Sequence, residues 1–203
     1  MDIKLIFGLL STVVAIACFL PYIRDIFRLK TEPHMYSWLV WTVLQFVGVA
    51  AQLKGGAGYG AWALTVGAFF CGAIFLLSFK YGTKNISKFD IFCLVAALCA
   101  IGIYVFIENP MWASIVVALV DFVGFLPTFR KGFEEPFTET ASTFVLSGVS
   151  NVLSVVALQH YSVTTVFYIG TLCFTNSSFA AMILLRRNFL KKKSHNIRNG
   201  SIG

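Results

Sequence analysis

Asp121 is the residue whose type and position suggest chemistry most directly, because it is an acidic side chain in the middle of a long apolar segment. A carboxylate at the centre of a membrane costs about 2.5–3.5 kcal/mol on insertion scales, so it is expected to face a cavity, a partner or a bound cation. The sequence therefore predicts a proton or cation site at Asp121. A packing role is the alternative, with the carboxyl group hydrogen-bonded to serines of a neighbouring helix.

A stripe of polar residues in a later apolar segment could line a solute pathway. Ser147, Ser150, Asn151 and Ser154 follow one another at helical spacing, so they share one face. Helices in lipid also use small and hydroxyl-bearing residues to pack closely, which leaves packing open as their role. For Asn151 we favour the solute pathway, because this residue lies near the middle of its segment.

Trp41 and Gln45 lie one helical turn apart in an earlier segment and combine an aromatic ring with an amide. Such a pair suits a polar solute that has one flat or apolar face, since the ring stacks on that face and the amide fixes the orientation. Asn176 supplies a further amide near the centre of the last apolar segment. We therefore predict that Trp41, Gln45, Asn151 and Asn176 bind the solute.

The composition indicates what kind of fold must position these residues. Of the 203 residues, 58% are hydrophobic and only 12% are charged, and the mean hydropathy is +0.80. Soluble domains usually carry about 25% charged residues, so this chain is predicted to be an all-α integral membrane protein. The five cysteines lie inside apolar runs, which excludes a secreted disulfide scaffold. The net charge of +7 falls between apolar segments and not on one polar face, so no nucleic-acid partner is expected.

Seven segments are long and apolar enough to be predicted as membrane spans of about 20 residues. They lie at about 3–24, 36–53, 58–79, 89–107, 110–128, 142–158 and 163–185. With this assignment, all Lys and Arg residues except Lys4 and Lys54 fall on one side. The bias predicts an outside N-terminus and a cytoplasmic C-terminus. We expect a plasma (inner) membrane rather than an organelle, but this expectation does not come from the bias, which reads the cytoplasmic side of either. The basic tail, 188–203, is expected to meet anionic lipid.

The chain also contains an internal repeat with an offset of 106 residues. Phe19-Leu20-Pro21 aligns with Phe125-Leu126-Pro127, and Gln45 aligns with Asn151. Three helices repeated after one extra helix give two parallel triple-helix bundles joined by a linker helix. The predicted regions are a first bundle at 1–82, a linker at 83–108 and a second bundle at 109–187.

Pro21 and Pro127 occupy equivalent positions near one end of spans one and five. Proline removes a backbone hydrogen bond and weakens the helix locally, so the pair is predicted to act as hinges. A simple kink or helix end is the alternative for each proline.

Two stretches resemble a known family. Ala17-Cys18-Phe19-Leu20-Pro21, followed by Phe27-Arg28-Leu29-Lys30-Thr31-Glu32, resembles the first helix and loop of SWEET and SemiSWEET sugar transporters. Leu77-Ser78-Phe79-Lys80-Tyr81-Gly82 resembles the end of their third helix. The wider group includes PQ-loop proteins and PnuC-like vitamin transporters.

The resemblance implies a fold of three, one and three helices and sugar transport by alternating access. It also places the family's third-helix asparagines near Thr65 and Thr171, which we add to the predicted solute-binding residues. The alternatives are a proton- or cation-coupled transporter of an amino acid or a nucleoside-like vitamin, and a non-transporting receptor on the same fold. A scaffold whose polar stripes only pack helices would have no pocket at mid-membrane.

Other charged and polar residues are expected to have no chemical role. Glu134, Glu135 and Glu139 are predicted to balance Arg130 and Lys131 in a solvated loop, and the three histidines are too scattered for a metal site. No motif of an enzyme, a metal site or a cofactor site is present, so neither catalysis nor a cofactor is expected. One chain supplies both bundles, although a homo-oligomer stays open.

Overall fold

The computed structural model describes residues 2–104, 106–107 and 110–200, without the side chains of 103, 104, 110, 111, 113 and 194–200. Within these ranges the chain forms α-helices and two short 3₁₀ helices and contains no strand. The predicted break at Glu108-Asn109, where the linker region was expected to meet the second bundle, lies outside the described residues. Met1 and residues 201–203 of the predicted tail lie outside them as well.

Seven α-helices follow one another along the described chain, and each predicted span overlaps mainly with one of them. They are α1 Ile3–Phe27, α2 Met35–Lys54, α3 Trp62–Tyr81, α4 Lys88–Tyr104, α5 Pro110–Glu134, α6 Ala141–Ala157 and α7 Val163–Gly200. The 3₁₀ helices are Gly58–Ala61 and Pro136–Thr138. The span at 58–79 begins in a 3₁₀ helix, and the span at 89–107 extends past the end of α4.

Four helical segments of the described chain are long and apolar enough to cross a membrane. These are Ile3–Phe27, Met35–Lys54, Gly58–Tyr81 and Val163–Lys193, while Ala141–Ala157 is apolar but shorter. The prediction of an all-helical chain with membrane-spanning segments is therefore confirmed at this level.

The ends of α1 show how local sequence sets helix boundaries. The carboxylate of Asp2 accepts a hydrogen bond from the backbone N–H of Lys4 at 3.0 Å, which satisfies one of the free donors of the first turn. At the other end Leu29 adopts a left-handed conformation with φ of 55°, and the N–H groups of Lys30 and Thr31 turn back to the carbonyl of Asp25. The helix runs unbroken through Pro21, as α5 runs through Pro127.

The helices pack in two matching sets of contacts. α1 packs against α3 and α6, and α5 packs against α7 and α2. α3 also packs against α2, as α7 packs against α6. α4 lies apart from this arrangement and contacts only α5 and α2 among the described helices. The core between the two sets is mainly aromatic, with Phe19, Trp38, Trp41, Phe125 and Phe144 all buried.

One end of the helix bundle carries the loops 28–34, 82–87 and 135–140, and we call it the charged end. Asp90, at the start of α4, is fully buried there and binds Arg130 of α5 through two bonds of 2.6 and 3.0 Å. Arg130 also donates to the backbone carbonyl of Asn85 at 2.8 Å. These bonds attach the loop before α4 to the end of α5.

His34 is buried beside this ion pair, with its Nε2 atom 3.4 Å from Oδ2 of Asp90. Burial lowers the pKa of His34 from 6.5 to about 4 and outweighs the attraction of Asp90, while Arg130 and Lys131 act in the same direction as burial. The imidazole is therefore neutral in the folded protein at neutral pH.

We predict that stability falls as the pH is lowered from about 6.5 to about 4, because the unfolded chain then binds a proton that the folded protein excludes. His34→Gln is expected to reduce the pH dependence of stability in this range. The measurement is the unfolding temperature of the purified protein in detergent as a function of pH. His160→Gln, at an exposed histidine, is the matched control and should keep the slope. Identical profiles for His34→Gln and the native protein would contradict the prediction.

Candidate functional site

A central cavity of about 70 Å³ lies between α1, α2, α3, α5, α6 and α7. This volume is enough for a few water molecules, since a cavity needs at least about 10–15 Å³ to hold one. Five of the seven residues predicted to contact a solute, proton or cation line it, namely Trp41, Gln45, Asp121, Asn151 and Asn176. The structure thus brings together residues that are up to 135 positions apart in the sequence.

Five pairs of residues related by the 106-residue offset line this cavity. They are Ala15 with Asp121, Phe19 with Phe125, Trp38 with Phe144, Trp41 with Ser147, and Gln45 with Asn151. Two of the pairs keep their chemistry, as phenylalanine with phenylalanine and amide with amide. The others differ, so the two halves of the cavity present different groups around a common centre.

Asp121 is the one residue with a formal charge among the described residues that line the cavity. Its side chain is fully buried, and neither carboxyl oxygen has a hydrogen-bond partner among the described residues. The serines of α6 do not bind it, because Ser150 donates to the carbonyl of Ser11 at 2.8 Å and Ser147 lies 3.4 Å from Cys18. The packing arrangement considered from the sequence, a carboxyl bonded to serines, is therefore absent from the described structure.

Two of the lining amides and the indole differ in how far the protein already binds their donors. The Nε2 atom of Gln45 donates to the sulfur of Cys71 at 2.9 Å, and Nδ2 of Asn176 donates to the carbonyl of Leu172 at 2.8 Å. The Nε1 atom of Trp41 is buried without a partner among the described residues. Both amides thus direct a donor to the protein, while the indole N–H remains available.

Thr65 and Thr171 do not line the cavity. Each hydroxyl donates to a carbonyl one turn earlier in its own helix, Thr65 to Ala61 at 2.9 Å and Thr171 to Phe167 at 2.9 Å. Pro21 and Pro127 also lie outside the lining, each two residues beyond a phenylalanine that belongs to it.

Several lining residues were not singled out from the sequence, among them Cys18, Phe19, Cys71, Phe125, Thr143 and Phe144. The repeat carried a signal for one pair, because Phe19 and Phe125 begin the aligned segments that end in the prolines. Apolar residues such as Cys71 carry no such signal, since nothing in their type distinguishes a cavity wall from packed core.

The cavity is bordered towards the charged end by a cluster of Tyr22, Trp38, Lys131 and Glu139, which we call the Glu139 cluster. The hydroxyl of Tyr22 donates to Oε2 of Glu139 at 3.1 Å, and the indole of Trp38 donates to Tyr22 at 3.3 Å. Lys131 donates to Oε1 of Glu139 at 2.8 Å and to the carbonyl of Glu32 at 2.6 Å. The cluster thus ties α1, α2 and the loop after α1 to α5 and the loop after α5.

The expectation of a solvated loop is wrong for Glu139 and Lys131, because both side chains are fully buried. Burial raises the pKa of Glu139, and the charges of Lys131 and Arg187 oppose this. Arg187 also donates to the backbone carbonyls of Pro136 and Glu139, so the end of α7 holds the same loop. A pattern of alternating charges in a loop does not distinguish a solvated loop from a buried pair. Here the turn at Pro136–Thr138 folds the glutamate back onto α5.

The opposite end of the cavity is bordered by close backbone contacts. Gly60 lies against Leu158, where a Cβ atom would come within 2.7 Å of that side chain. The N–H of Gln159 donates to the carbonyl of Ala57 at 3.1 Å, and Gln52 donates to the carbonyl of Thr165 at 3.1 Å. The loop between α2 and α3 therefore packs directly on the loop between α6 and α7.

Comparison of the chain with protein-family models, with curated proteins and with solved structures finds no match. The resemblance to sugar transporters therefore rests on the sequence motifs alone. The site itself has to be interpreted from its own chemistry.

We predict that Tyr22→Phe opens the cavity towards the charged end, because it removes the hydroxyl between Trp38 and Glu139 and leaves the ring in place. A hydrogen bond to a charged group contributes about 1.5–3 kcal/mol. If this bond stabilises the closed arrangement, its loss should raise the equilibrium constant for opening, and with it the labelling rate, about tenfold or more. The measurement is the rate at which a water-soluble thiol reagent labels Cys18 and Cys71, which line the cavity, after replacement of Cys93, Cys99 and Cys173.

Tyr81→Phe is the control for this experiment, because Tyr81 packs its ring against Phe27 away from the cavity lining. Its labelling rate should equal that of the parent. Equal rates for Tyr22→Phe and Tyr81→Phe would contradict a closing role for the Glu139 cluster.

Proposed function

We propose that this protein is a membrane transporter for a small polar solute, which binds in the central cavity. The observation that carries the proposal is the lining, in which five pairs of repeat-related residues meet around one cavity. Repeats related in this way put the substrate site between them in transporters. A cavity with amides, an indole N–H and a buried carboxyl provides groups that can orient a polar solute.

The architecture proposed for this function is seven membrane spans in two parallel triple-helix bundles joined by α4. The contacts support it, because α3 packs against both α1 and α2 in the first half of the chain, and the corresponding helix α7 packs against both α5 and α6 in the second half. The contact of α1 with α6 likewise corresponds to that of α5 with α2. The peripheral position of α4 suits a linker whose role is to restore the orientation of the second bundle.

Alternating access requires that contacts between the bundles form and break on each side of the site in turn. The Glu139 cluster and the loop contact around Gly60 are two such sets at opposite ends. Pro21 and Pro127 are proposed as the hinges, since each interrupts the hydrogen bonding of a long helix just beyond a lining phenylalanine.

Sugar is the substrate class that the SWEET-like motifs imply. Trp41 would stack on the apolar face of the ring, and Gln45, Asn151 and Asn176 would bind its hydroxyl groups. The second candidate, coupled transport of another polar metabolite, is favoured by Asp121, because a buried carboxyl without a partner is a place for a proton or a cation. A non-transporting receptor would be expected to have a more highly charged cavity. A scaffold whose polar residues only pack helices would be expected to have no cavity at this position.

The charge bias supports an orientation with the charged end in the cytoplasm and the N-terminus outside. The basic residues at the end of α7 would then meet anionic lipid, as in a plasma (inner) membrane. A single chain supplies both bundles of the proposed pathway, and a homo-oligomer is compatible with it.

Uptake into proteoliposomes tests this function directly. We expect the native protein to take up one solute from a panel of labelled sugars, amino acids, nucleosides and small organic cations, measured with and without an imposed pH gradient. If transport is coupled at Asp121, the gradient should accelerate uptake, and Asp121→Asn should abolish that acceleration because it removes the ionisable group.

Asp2→Asn is the matched control, because it removes a carboxylate from an exposed helix cap and asparagine caps equally well. Gradient-independent uptake that survives Asp121→Asn would identify a facilitator. If the folded protein takes up no solute in the panel, the transport proposal is contradicted.

A further inference from the structure

The substrate class can be inferred more narrowly from the charge and the aromatic residues of the cavity lining, on the basis of the proposed function. We propose that the cavity recognises a small organic cation, such as an ammonium compound with an apolar surface, and that Asp121 is its counter-ion. The inference rests on two features of the lining: its single charged residue and its aromatic residues.

The first feature is the unbalanced carboxylate. Asp121 is fully buried and unpaired, and no Lys, Arg or His is among the described residues that line the cavity. Cys71 and Tyr168 are two titratable groups of the described chain that interact electrostatically with it, and neither can carry a positive charge. An ionised carboxylate inside a protein needs a cation close to it, so a positively charged solute completes this site.

The second feature is the wall around the carboxylate. Rings of Phe19, Trp38, Trp41, Phe125 and Phe144 line the same cavity. Trp41 lies 4.4 Å from Phe125 and 5.0 Å from Trp38, measured between ring centroids, so the rings form a continuous surface. The faces of aromatic rings attract cations, and tryptophan does so most strongly. Such a surface surrounds an alkylated ammonium group and holds an anion poorly.

The test compares choline with 3,3-dimethylbutan-1-ol, its neutral analogue of nearly the same shape, and with glucose. The purified full-length protein is heated in detergent with each compound, because a ligand that binds the folded state raises the unfolding temperature. We expect choline to raise this temperature at concentrations about tenfold or more below those at which the neutral analogue acts. Equal effects of the two compounds, a shift with glucose alone, or no shift with choline would overturn the proposal.

Two variants assign the effect to the site. Asp121→Asn should lose the preference for choline over the neutral analogue, whereas Asp2→Asn should keep it. Because the comparison of the two compounds on the native protein needs no variant, the proposal stays testable if Asp121→Asn fails to fold. A preference for choline that persists in a folded Asp121→Asn protein would overturn the role of Asp121.

Uptake of labelled choline into proteoliposomes separates this inference from the transport function. Binding without uptake would contradict transport and leave the recognition of a cation in place. Uptake of a sugar by a protein that shows no preference for choline would contradict the inference and leave transport in place.

Discussion

The structure depends on keeping one carboxylate inside an apolar protein. Asp121 lies in the middle of an apolar segment of α5, and a charge at such a position is unfavourable unless something compensates it. The described residues do not provide that compensation, since both oxygens of Asp121 lack a partner. The surrounding cavity therefore has a physical reason to exist, because it gives the carboxyl group access to water, a proton or a cation. The proposed function and the proposed substrate class both follow from this constraint.

The repeat in the sequence accounts for part of the cavity lining, and the differences between the two halves account for part of its chemistry. Ten of the 19 described lining residues form pairs with the offset of 106 residues. The counterpart of Asp121 is Ala15, and the counterpart of Trp41 is Ser147. In each of these two pairs one half contributes a functional or bulky side chain and the other half a small one.

The charged end shows how buried polar groups can connect helices and loops. Glu139 and Lys131 are buried as a pair, yet each also binds a group from the first half of the chain, Tyr22 and the carbonyl of Glu32. A buried ion pair contributes little net stability after desolvation, but removal of one partner is costly. Such a cluster is therefore well suited to define one closed arrangement of the helices. Its proximity to the aromatic layer around Trp38 places it between the cavity and the loops.

Much of the fold and part of the site could be predicted from the sequence. Apolar segments give helices because backbone groups in an apolar environment must bond within the helix, and the positions of α1 to α7 follow from that rule. Periodicity and the repeat also indicated Trp41, Gln45, Asp121, Asn151 and Asn176, since polar residues in such segments need an interior face. The sequence could not show that the hydroxyl groups of Thr65 and Thr171 donate to carbonyls of their own helices. A threonine at any position inside a helix can form this hydrogen bond, so the residue pattern does not reveal it. Nor could it show that Glu139 is buried or that Cys71 and Phe144 line the cavity. Those facts depend on which helices meet, and only the tertiary structure decides that, through contacts between residues far apart in the chain.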